Sequence, residues 1–355
     1  MKIKIIYYLI LIITLTLSAC KKEDATEPIL SDTGLFVVNE GSFGSSNGEL
    51  TFWNISKGTV SQNIFNGVNG IPLGDIVQSM TIVGDRAYIV VNNSQKIEVV
   101  DKSTFNSIAT INGFLSPRYF LSDGNGKGYV SDWTSNSIKV VDLGSNSITQ
   151  SIPVGRGPEQ MQLHNGKLYV VNAGGFGNDS TLSVISTSSS NVDTSIVVGL
   201  NPNSIVLDKN NKLWILCGGT IGPDWTPGTA DDIAGKLIRI DPLNNFIESV
   251  FNFASSDHPI KLTTNGTKDR LYFLYGSSSY TGTVRSMDIS DNSLPGSSLI
   301  SRDCYGLGIN PESGQIFCGI SPSFNQQGYA LRFNSSGALI DSVSAGIGPN
   351  GFCFK

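Results

Sequence analysis

The sequence predicts an all-β fold, a seven-bladed β-propeller built from four-stranded antiparallel blades. Three observations indicate this fold: one strand motif returns seven times, glycine- and asparagine-rich turns separate short apolar runs, and the two chain ends carry complementary parts of one blade. The 355 residues are enough for a large core, and 39 glycines suit many tight turns. No long amphipathic helix pattern is visible.

The N-terminal residues have the features of an export signal. Lys2 and Lys4 precede an apolar stretch over residues 5–17, and the letters LSAC follow at once. The stretch is short for a membrane span and ends at small residues, which is typical of a cleaved signal peptide over residues 1–19. LSAC looks like a bacterial lipobox, so we expect Cys20 to be lipidated. An uncleaved anchor helix is the alternative.

Residues 20–33 are polar, contain Pro28 and show no apolar periodicity. We therefore expect a flexible tether between the lipid and a single propeller domain over residues 34–355. The letters KKED after Cys20 resemble the surface-export signal of Bacteroidetes-type lipoproteins, and an ordinary solvated linker is the alternative. The expected location is the outer membrane, where the lipid holds the domain facing the cell exterior.

The charge balance argues against an anionic partner. Without residues 1–19, which hold two lysines and no acidic residue, 22 basic and 29 acidic side chains remain, a formal charge of −7. A surface for nucleic acid or for anionic membranes is disfavoured. We expect membrane contact through the lipid anchor only, and no nucleic-acid partner.

The repeated motif is an apolar run that ends in a small polar residue, and its copies are 41 to 55 residues apart, an interval that suits a four-stranded unit. The seven runs are LTFWN ending at Asn54, IEVVD at Asp101, IKVVD at Asp142, LSVIS at Ser186, LIRID at Asp241, VRSMD at Asp288 and ALRFN at Asn334. A second apolar run precedes each of them, after turns such as HNGK and KNNK that favour tight antiparallel hairpins. Each unit is therefore interpreted as a meander of strands A to D.

The two chain ends complete the prediction. The first unit begins at its second strand, near Leu35, whereas the chain ends in GPNGFCF, which resembles the first-strand sequences GPEQMQL and NPNSIVL. The C-terminal strand is thus predicted to join blade one and to close the ring, which removes the loose sheet edges. A β-solenoid is the alternative, but it favours shorter and stricter repeats.

Four cysteines remain after Cys20, and none shows metal-ligand spacing. Three of them lie inside apolar strand patterns, which favours buried free thiols. The four are Cys217, Cys304, Cys318 and Cys353. Cys304 and Cys318 fall on what the pattern predicts as one hairpin, and an extracytoplasmic location permits a disulfide, so their pairing stays open.

Candidate ligand contacts lie in the loops on one face. In a propeller meander the B–C and D–A loops emerge around the same channel mouth, and long loops on a rigid scaffold often bind ligands. The aromatic candidates in the B–C loops are Phe43, Trp133, Phe176, Trp225, Tyr280 and Phe324, with polar neighbours such as Asn178. This mixture suits a sizeable, partly apolar ligand or a protein surface. The alternative for each aromatic is that it packs against its own loop.

The D–A loops contribute further candidates at the same mouth. These are Arg118, Arg156, His258 and Tyr305. For the arginines, ion pairing between blades is the favoured interpretation, because a cation near the axis needs a partner.

The residue pattern does not favour an enzyme. His164 falls in an A–B turn on the opposite face, so His258 is the sole imidazole expected near the mouth, and no nucleophile motif accompanies it. The long insertion with Asp224, Asp231 and Asp232 lacks a D-x-D-x-D-G pattern. No metal site and no cofactor are therefore predicted, and the insertion is interpreted as a solvated lid.

The strand sequences KLYVVNAG, AYIVVNN and IKVVD resemble the YVTN-type and YncE-like propeller repeats over about residues 35 to 355. The lipobox, KKED and LFVVNEGSFGSSNGELTFWN together resemble the BtuG-type surface lipoproteins. That resemblance implies capture of cobalamin or another corrinoid on the mouth face and its transfer to an outer-membrane TonB-dependent transporter. A protein-interaction or adhesion propeller is the main alternative, and a lyase using His258 with a metal is a further one.

Overall fold

The computed structural model describes residues 33–223, 226–276 and 280–355. The predicted signal peptide, Cys20 and the tether up to residue 32 lie outside the described residues, as do Asp224 and Trp225. The described residues form seven sheets of four antiparallel strands each, with one short helix. The predicted all-β, seven-bladed β-propeller is confirmed.

Each blade contributes one strand to each of four positions. The innermost A strands of blades one to seven are Pro349–Phe354 (β28), Val77–Val83 (β4), Pro117–Ser122 (β8), Pro158–His164 (β12), Pro202–Leu207 (β16), Ile260–Thr264 (β20) and Gly306–Ile309 (β24). The B strands are Gly34–Asn39 (β1), Arg86–Val91 (β5), Lys127–Asp132 (β9), Lys167–Asn172 (β13), Leu213–Cys217 (β17), Arg270–Tyr275 (β21) and Ile316–Ile320 (β25).

The C and D strands complete the blades in the same order. The C strands are Glu49–Asn54 (β2), Lys96–Asp101 (β6), Ser137–Asp142 (β10), Thr181–Ser186 (β14), Lys236–Asp241 (β18), Gly282–Asp288 (β22) and Gln327–Phe333 (β26). The outermost D strands are Thr59–Ser61 (β3), Ser107–Ile111 (β7), Ser147–Pro153 (β11), Asn191–Val197 (β15), Phe246–Asn252 (β19), Ile300–Cys304 (β23) and Leu339–Ile347 (β27).

The A strands form a closed ring around a central channel. Each A strand contacts the A strand of the next blade, and the last contact, between β24 and β28, returns to blade one. Blade one has the strand order β28-β1-β2-β3, so the C-terminal strand pairs with the first described strand. Leu35 pairs with Phe354 and Val37 with Phe352. The predicted closure by the C-terminal strand is confirmed.

The core lies between neighbouring blades. Every residue of β1 is buried, and the B strands of the other blades are buried on both faces over most of their length. The rings of Tyr88 in blade two and Phe120 in blade three stack with centroids 4.3 Å apart. Such stacked blades bury both faces of each sheet, which explains the almost continuous apolar runs of the B strands.

The polar residue that ends most of the repeated motifs holds the C–D turn. The Asp101 carboxylate accepts hydrogen bonds from the backbone N–H groups of Ser103 and Thr104. In the same way, the Asp142 carboxylate accepts a hydrogen bond from the Ser145 N–H, and the Asn54 side-chain oxygen accepts one from the Lys57 N–H. These are Asx-type turns, in which a short polar side chain satisfies turn amides. The recurrence of Asp and Asn in the sequence motif therefore has a structural cause.

One helix interrupts the strand pattern. Helix α1, Ile64–Asn69, lies between β3 and β4, and the buried Glu49 carboxylate accepts hydrogen bonds from the N–H groups of Phe65 and Asn66 at its start. Burial raises the pKa of Glu49, and these hydrogen bonds act in the opposite direction. Among the described residues, no helix has the length and apolar character required to cross a membrane.

The cysteines are placed differently from the prediction in one respect. Cys304 ends β23 in blade six, whereas Cys318 lies on β25 in blade seven, so the predicted single hairpin is wrong. A new blade begins between them, because Gly306–Ile309 forms an A strand of its own. Both thiols are free and buried in one apolar cluster, and the pKa of Cys318 is raised by its hydrogen bond with Cys304 and by burial.

Candidate functional site

The channel-mouth ends of the A strands carry β-bulges. In β8 the register against β9 shifts between Pro117 and Phe120, and similar shifts occur in β4, β12, β16 and β20. A bulge adds one residue to a strand and re-aims its side chains. Consecutive residues such as Arg118 and Tyr119 therefore both reach the channel, where a regular strand would turn one of them away.

These residues line a cavity of about 540 Å³ at the mouth. The B–C loops contribute Phe43, Asn92, Trp133, Gly175, Phe176 and Tyr280. The D–A loops and A strands contribute Ile76, Gln78, Arg118, Tyr119, Glu159, Gln160, Asn201, Asn203, Ser204, His258, Ile260, Lys261 and Tyr305. Its volume is in the range of small-molecule sites, about 300–1,000 Å³. The predicted convergence of the two loop sets on one face is thus observed.

The floor of this cavity holds an ion pair between two blades. Arg118 of blade three donates from Nε to Glu159 of blade four at 3.0 Å, and its Nη2 lies 2.9 Å from the same Oε1. Its Nη1 donates to the Gln78 side chain of blade two. The guanidinium also lies 4.1 Å from the ring centroid of Trp133. The interpretation of Arg118 as an inter-blade ion-pair partner is supported by these contacts.

The pKa values on the floor follow from burial and from this pair. Burial opposes the charged form of Arg118, but Glu159, Tyr119 and Glu40 together outweigh burial and raise the pKa of the arginine. Burial raises the pKa of Glu159, and the guanidinium opposes that rise. Burial also raises the pKa of Tyr119, so this phenol stays protonated at neutral pH. The floor therefore offers fixed charges and neutral hydroxyl and amide groups.

A second carboxylate belongs to the same floor. Glu40, which follows β1, accepts a hydrogen bond from the Tyr305 hydroxyl at 2.5 Å and another from the Asn350 side chain at 2.6 Å. Burial and the neighbouring carboxylate raise the pKa of Tyr305. Because Tyr305 lies before β24 and Asn350 lies on β28, this cluster links blade seven to blade one at the point of ring closure.

Aromatic side chains surround the opening. Phe176 is 95% exposed and Phe43 is 79% exposed, and both line the cavity with Tyr280. The Phe176 ring meets Trp133 edge to face, with centroids 6.0 Å apart. Exposed rings cost free energy in water, and clusters of them around a cavity are typical of binding surfaces.

Most predicted contact residues are brought together here. Phe43, Arg118, Trp133, Phe176, His258, Tyr280 and Tyr305 line the cavity. Arg156 is exposed outside the lining, Asn178 accepts a hydrogen bond from Asn201, and Phe324 packs edge to face on Tyr305 at 5.3 Å. Trp225 lies outside the described residues. Ligand contact by these side chains stays a prediction.

His258 is held in the cavity wall. Its Nδ1 lies 2.9 Å from the Gly218 carbonyl oxygen, and its Nε2 lies 3.6 Å from the Asp232 carboxylate. The backbone N–H groups of Gly222 and Gly228 lower the pKa of Asp232, with burial opposing them. Asp232 thus connects Gly222 and Gly228 of the insertion to the cavity wall. Within the described residues no group of three or more potential metal ligands is found.

The sequence reasoning missed the charged floor. Glu40, Glu159, Gln78 and Lys261 were not among the predicted contacts, although all four line the cavity. A signal was available: several A strands open with proline and two polar residues, as in PRY, PEQ and PNS. Two consecutive polar residues inside an apolar strand pattern indicate a bulge that turns both toward the same side.

The fold and this site define a class: a seven-bladed β-propeller with a polar, aromatic-rimmed cavity at the channel mouth. Residues 33–333 match the family described as a domain of unknown function, DUF5074, and the chain belongs to that family. No curated protein matches the sequence.

Solved structures share the fold at low sequence identity. The periplasmic gluconolactonase of Pseudomonas aeruginosa is 11% identical, with a TM-score of 0.66, over 91% of this chain and 99% of its own. A quinonprotein alcohol dehydrogenase-like protein of Bacteroides thetaiotaomicron is 15% identical, with a TM-score of 0.65, over 91% of this chain and 78% of its own. A putative 6-phosphogluconolactonase of Bacteroides fragilis is 11% identical, with a TM-score of 0.65, over 92% and 99%. At these identities the likeness concerns the fold alone.

Proposed function

We propose that this propeller is a binding protein that captures a small molecule on its mouth face. One observation carries the proposal: a cavity of about 540 Å³ with a hydrogen-bonded polar floor opens between exposed aromatic rings. Apolar walls with a few fixed polar groups are the usual composition of a ligand site. The ligand is expected to have a flat or apolar body and polar substituents.

A corrinoid is the specific ligand that we propose. A broad ring fringed with amides would lie across Phe43 and Phe176, and its amides would meet the side-chain amides and hydroxyls of the lining. The cavity is smaller than such a molecule, so the ligand would enter only in part and cover the rim. The resemblance of the N-terminal sequence to corrinoid-capturing surface lipoproteins supports this choice.

The wider role follows from the same resemblance. Cys20 would carry a lipid that holds the protein on the outer membrane, facing the exterior, and the ligand would pass to a TonB-dependent transporter. Palmitate labelling of the wild type and of Cys20→Ser tests the anchor, which the variant should lose.

Calorimetric titration of the full chain in mild detergent with cyanocobalamin tests the ligand. We expect one-to-one binding that Phe176→Ala weakens by about tenfold, since an exposed aromatic contact of about 1.4 kcal/mol is lost. Phe246→Ala is the matched control, because Phe246 is 62% exposed on the outermost strand of blade five, away from the mouth.

Two outcomes would contradict the proposal. The absence of heat and of a visible-spectrum shift at high micromolar cyanocobalamin would exclude a corrinoid. Equal weakening by Phe176→Ala and Phe246→Ala would show that binding does not depend on the mouth and would contradict the proposed location of the site.

A further inference from the structure

Lys261 differs from the other charged groups of the cavity floor. Arg118 is paired with Glu159, and both oxygens of Glu40 accept hydrogen bonds from side chains. The Lys261 ammonium donates to the backbone carbonyl oxygen of Asn350 at 3.0 Å and makes no ion pair with any described residue. An ammonium has three N–H donors, so donors remain for a further acceptor.

The position of Lys261 makes those donors accessible. A second cavity, of about 180 Å³, lies deeper in the channel and shares Gln78, Tyr119, Gln160 and Lys261 with the mouth cavity. These four side chains therefore form the partition between the two cavities. A group entering from the mouth meets Lys261 at the bottom.

The neighbouring side chains also present donors. The Gln78 amide oxygen accepts from Arg118, which can only donate, so the amide nitrogen of Gln78 is left to donate elsewhere. The Gln160 oxygen accepts from the Ile205 N–H, and the Gln160 side chain also hydrogen-bonds to the Tyr119 hydroxyl. Tyr119 keeps its hydroxyl proton at neutral pH, because burial raises its pKa. Lys261, the Gln78 amide nitrogen and the Tyr119 hydroxyl are therefore the donors that the partition presents, and the side-chain oxygen of Asn350 is an acceptor without a partner among the described residues in the lining of the deeper cavity.

The backbone at Lys261 is strained. Its φ of 62° lies in the left-handed region, which residues with a Cβ rarely adopt. Strain of this kind persists where the surrounding structure enforces it, and it concentrates at functional sites. Burial lowers the pKa of Lys261, with Glu40 and Glu159 acting against that shift, so the ammonium gains from an anion placed beside it.

We infer that Lys261, with Gln78 and Tyr119, forms a subsite for an anionic oxygen group, a carboxylate or a phosphate, carried by the ligand of the mouth cavity. The inference rests on the proposed small-molecule site, but it does not depend on the ligand being a corrinoid. The anion would accept hydrogen bonds directly from the Lys261 ammonium, which Glu40 and Glu159 do not, because their oxygens accept from Tyr305, Asn350 and Arg118 and act on Lys261 only at longer range.

Thermal unfolding of the full chain with inorganic phosphate, and separately with acetate, tests the subsite. An anion bound by the folded state alone raises the melting temperature by mass action. Phosphate also stabilises proteins in general by exclusion from their surface. The measurement is therefore the difference between Lys261→Met and the control Lys127→Met, an exposed lysine at the start of β9 on the opposite face.

We expect the anion-dependent rise in melting temperature to be smaller by about 2 °C in Lys261→Met than in Lys127→Met. Lys261→Arg should keep the rise, since it keeps the cation. A Lys261-dependent rise with phosphate but not with acetate would identify a phosphate subsite. A rise with both anions would identify a subsite that accepts carboxylates and phosphates alike.

Equal rises in the Lys261→Met and Lys127→Met variants would overturn the inference. If Lys261→Met does not fold, NMR of ¹³C-methylated lysines in the wild type replaces it: the Lys261 signal should shift with phosphate while the Lys127 signal does not. A cyanocobalamin titration without binding, together with a Lys261-dependent anion effect, would reject the corrinoid and leave the subsite.

Discussion

The charged side chains of the channel mouth are tolerated because each has specific partners. Glu159 is nearly buried, and its charge is balanced by the Arg118 guanidinium, which is itself held by Gln78 and lies against Trp133. A charge taken out of water costs free energy that only close partners can offset. The pair joins blades three and four, so its loss affects both the local charge balance and the fit between blades.

We expect Arg118→Met to lower the free energy of unfolding by about 3 kcal/mol at pH 7, because it leaves the Glu159 carboxylate buried without a cation. The loss should shrink at lower pH, since the isolated carboxyl then takes up a proton. Urea denaturation at pH 7 and pH 5 measures both effects.

Arg270→Met is the control for this pair. Arg270 and Asp288 form an ion pair at 2.7 Å, but their side chains are 40% and 45% exposed. Exposed pairs contribute less than about 1 kcal/mol. If Arg270→Met and Arg118→Met lower the free energy of unfolding by the same amount, burial does not explain the contribution of the Arg118–Glu159 pair to stability.

The C–D turn is the element that repeats most regularly. The last residue of the C strand accepts turn N–H groups, and the position is filled by aspartate in blades two and three and by asparagine in blade one. The backbone N–H of Thr104 and then that of Ser103 lower the pKa of Asp101, and the Ser145 N–H lowers the pKa of Asp142. Both pKa values are thus lower in the folded than in the unfolded chain.

A group with a lowered folded-state pKa stabilises the protein above its unfolded pKa, about 3.9 for aspartate, and that contribution is lost as pH falls toward the folded value. We therefore expect the double variant Asp101→Asn/Asp142→Asn to have a lower free energy of unfolding than the wild type at pH 7. This difference should vanish near pH 2. Asparagine keeps the turn geometry, as Asn54 shows. Urea denaturation of both proteins over this pH range measures the difference.

Asp85→Asn provides the comparison for the turn variants. Asp85 is 92% exposed on its side chain, and its carboxylate lies 3.2 Å from the Lys102 ammonium. Its substitution should change stability little at any pH. If the free energy of unfolding of the double variant changes with pH in the same way as that of the wild type, the turn hydrogen bonds do not favour the charged carboxylates.

At the scale of the whole molecule, closure depends on two chain ends that are far apart in sequence. The backbone N–H of Lys355 donates to the Gly34 carbonyl oxygen, and β28 pairs with β1 along its length. Closure buries the inner edge of blade one and completes the contacts between blades seven, one and two. It also places Asn350 beside Glu40 on the cavity floor.

Circular permutation tests this view of the ring. Joining Lys355 to Gly34 by a short glycine linker and opening the exposed A–B turn between Gly124 and Asn125 moves the closing blade from one to three. We expect the permuted domain to keep its strand content by circular dichroism and to melt within a few degrees of the wild type, because the new termini lie in an exposed turn.

Removal of residues 348–355 is the opposite test. The truncated chain lacks β28 and exposes the edge of β1, so it should melt far lower and aggregate. A truncated chain as stable as the wild type, or a permuted domain that does not fold, would show that closure by β28 is not what holds the ring together.

Strand number, blade order and the closing strand could be read from the sequence because local rules produce them. Apolar runs, turn residues such as the Asn-Gly of the A–B hairpins, and the Asp or Asn at the end of most C-strand motifs act within a few residues of each other. The resemblance of GPNGFCF to other first strands was enough to predict β28. Of the six aromatic candidates, Phe43, Trp133, Phe176 and Tyr280 line the mouth cavity, because loop position follows from strand order.

The chemistry of the floor was decided by tertiary structure. Glu40, Arg118, Glu159 and Lys261 lie in four different blades and meet only because the ring closes. Local sequence cannot show that Arg118 would find Glu159 as a partner while Lys261 would find only a carbonyl oxygen. The sequence by itself thus determined the seven blades and the face that carries the loops, since these follow from local periodicity. Which charges are paired, and which donor is left for a ligand, depends on long-range packing at the bulged ends of the A strands.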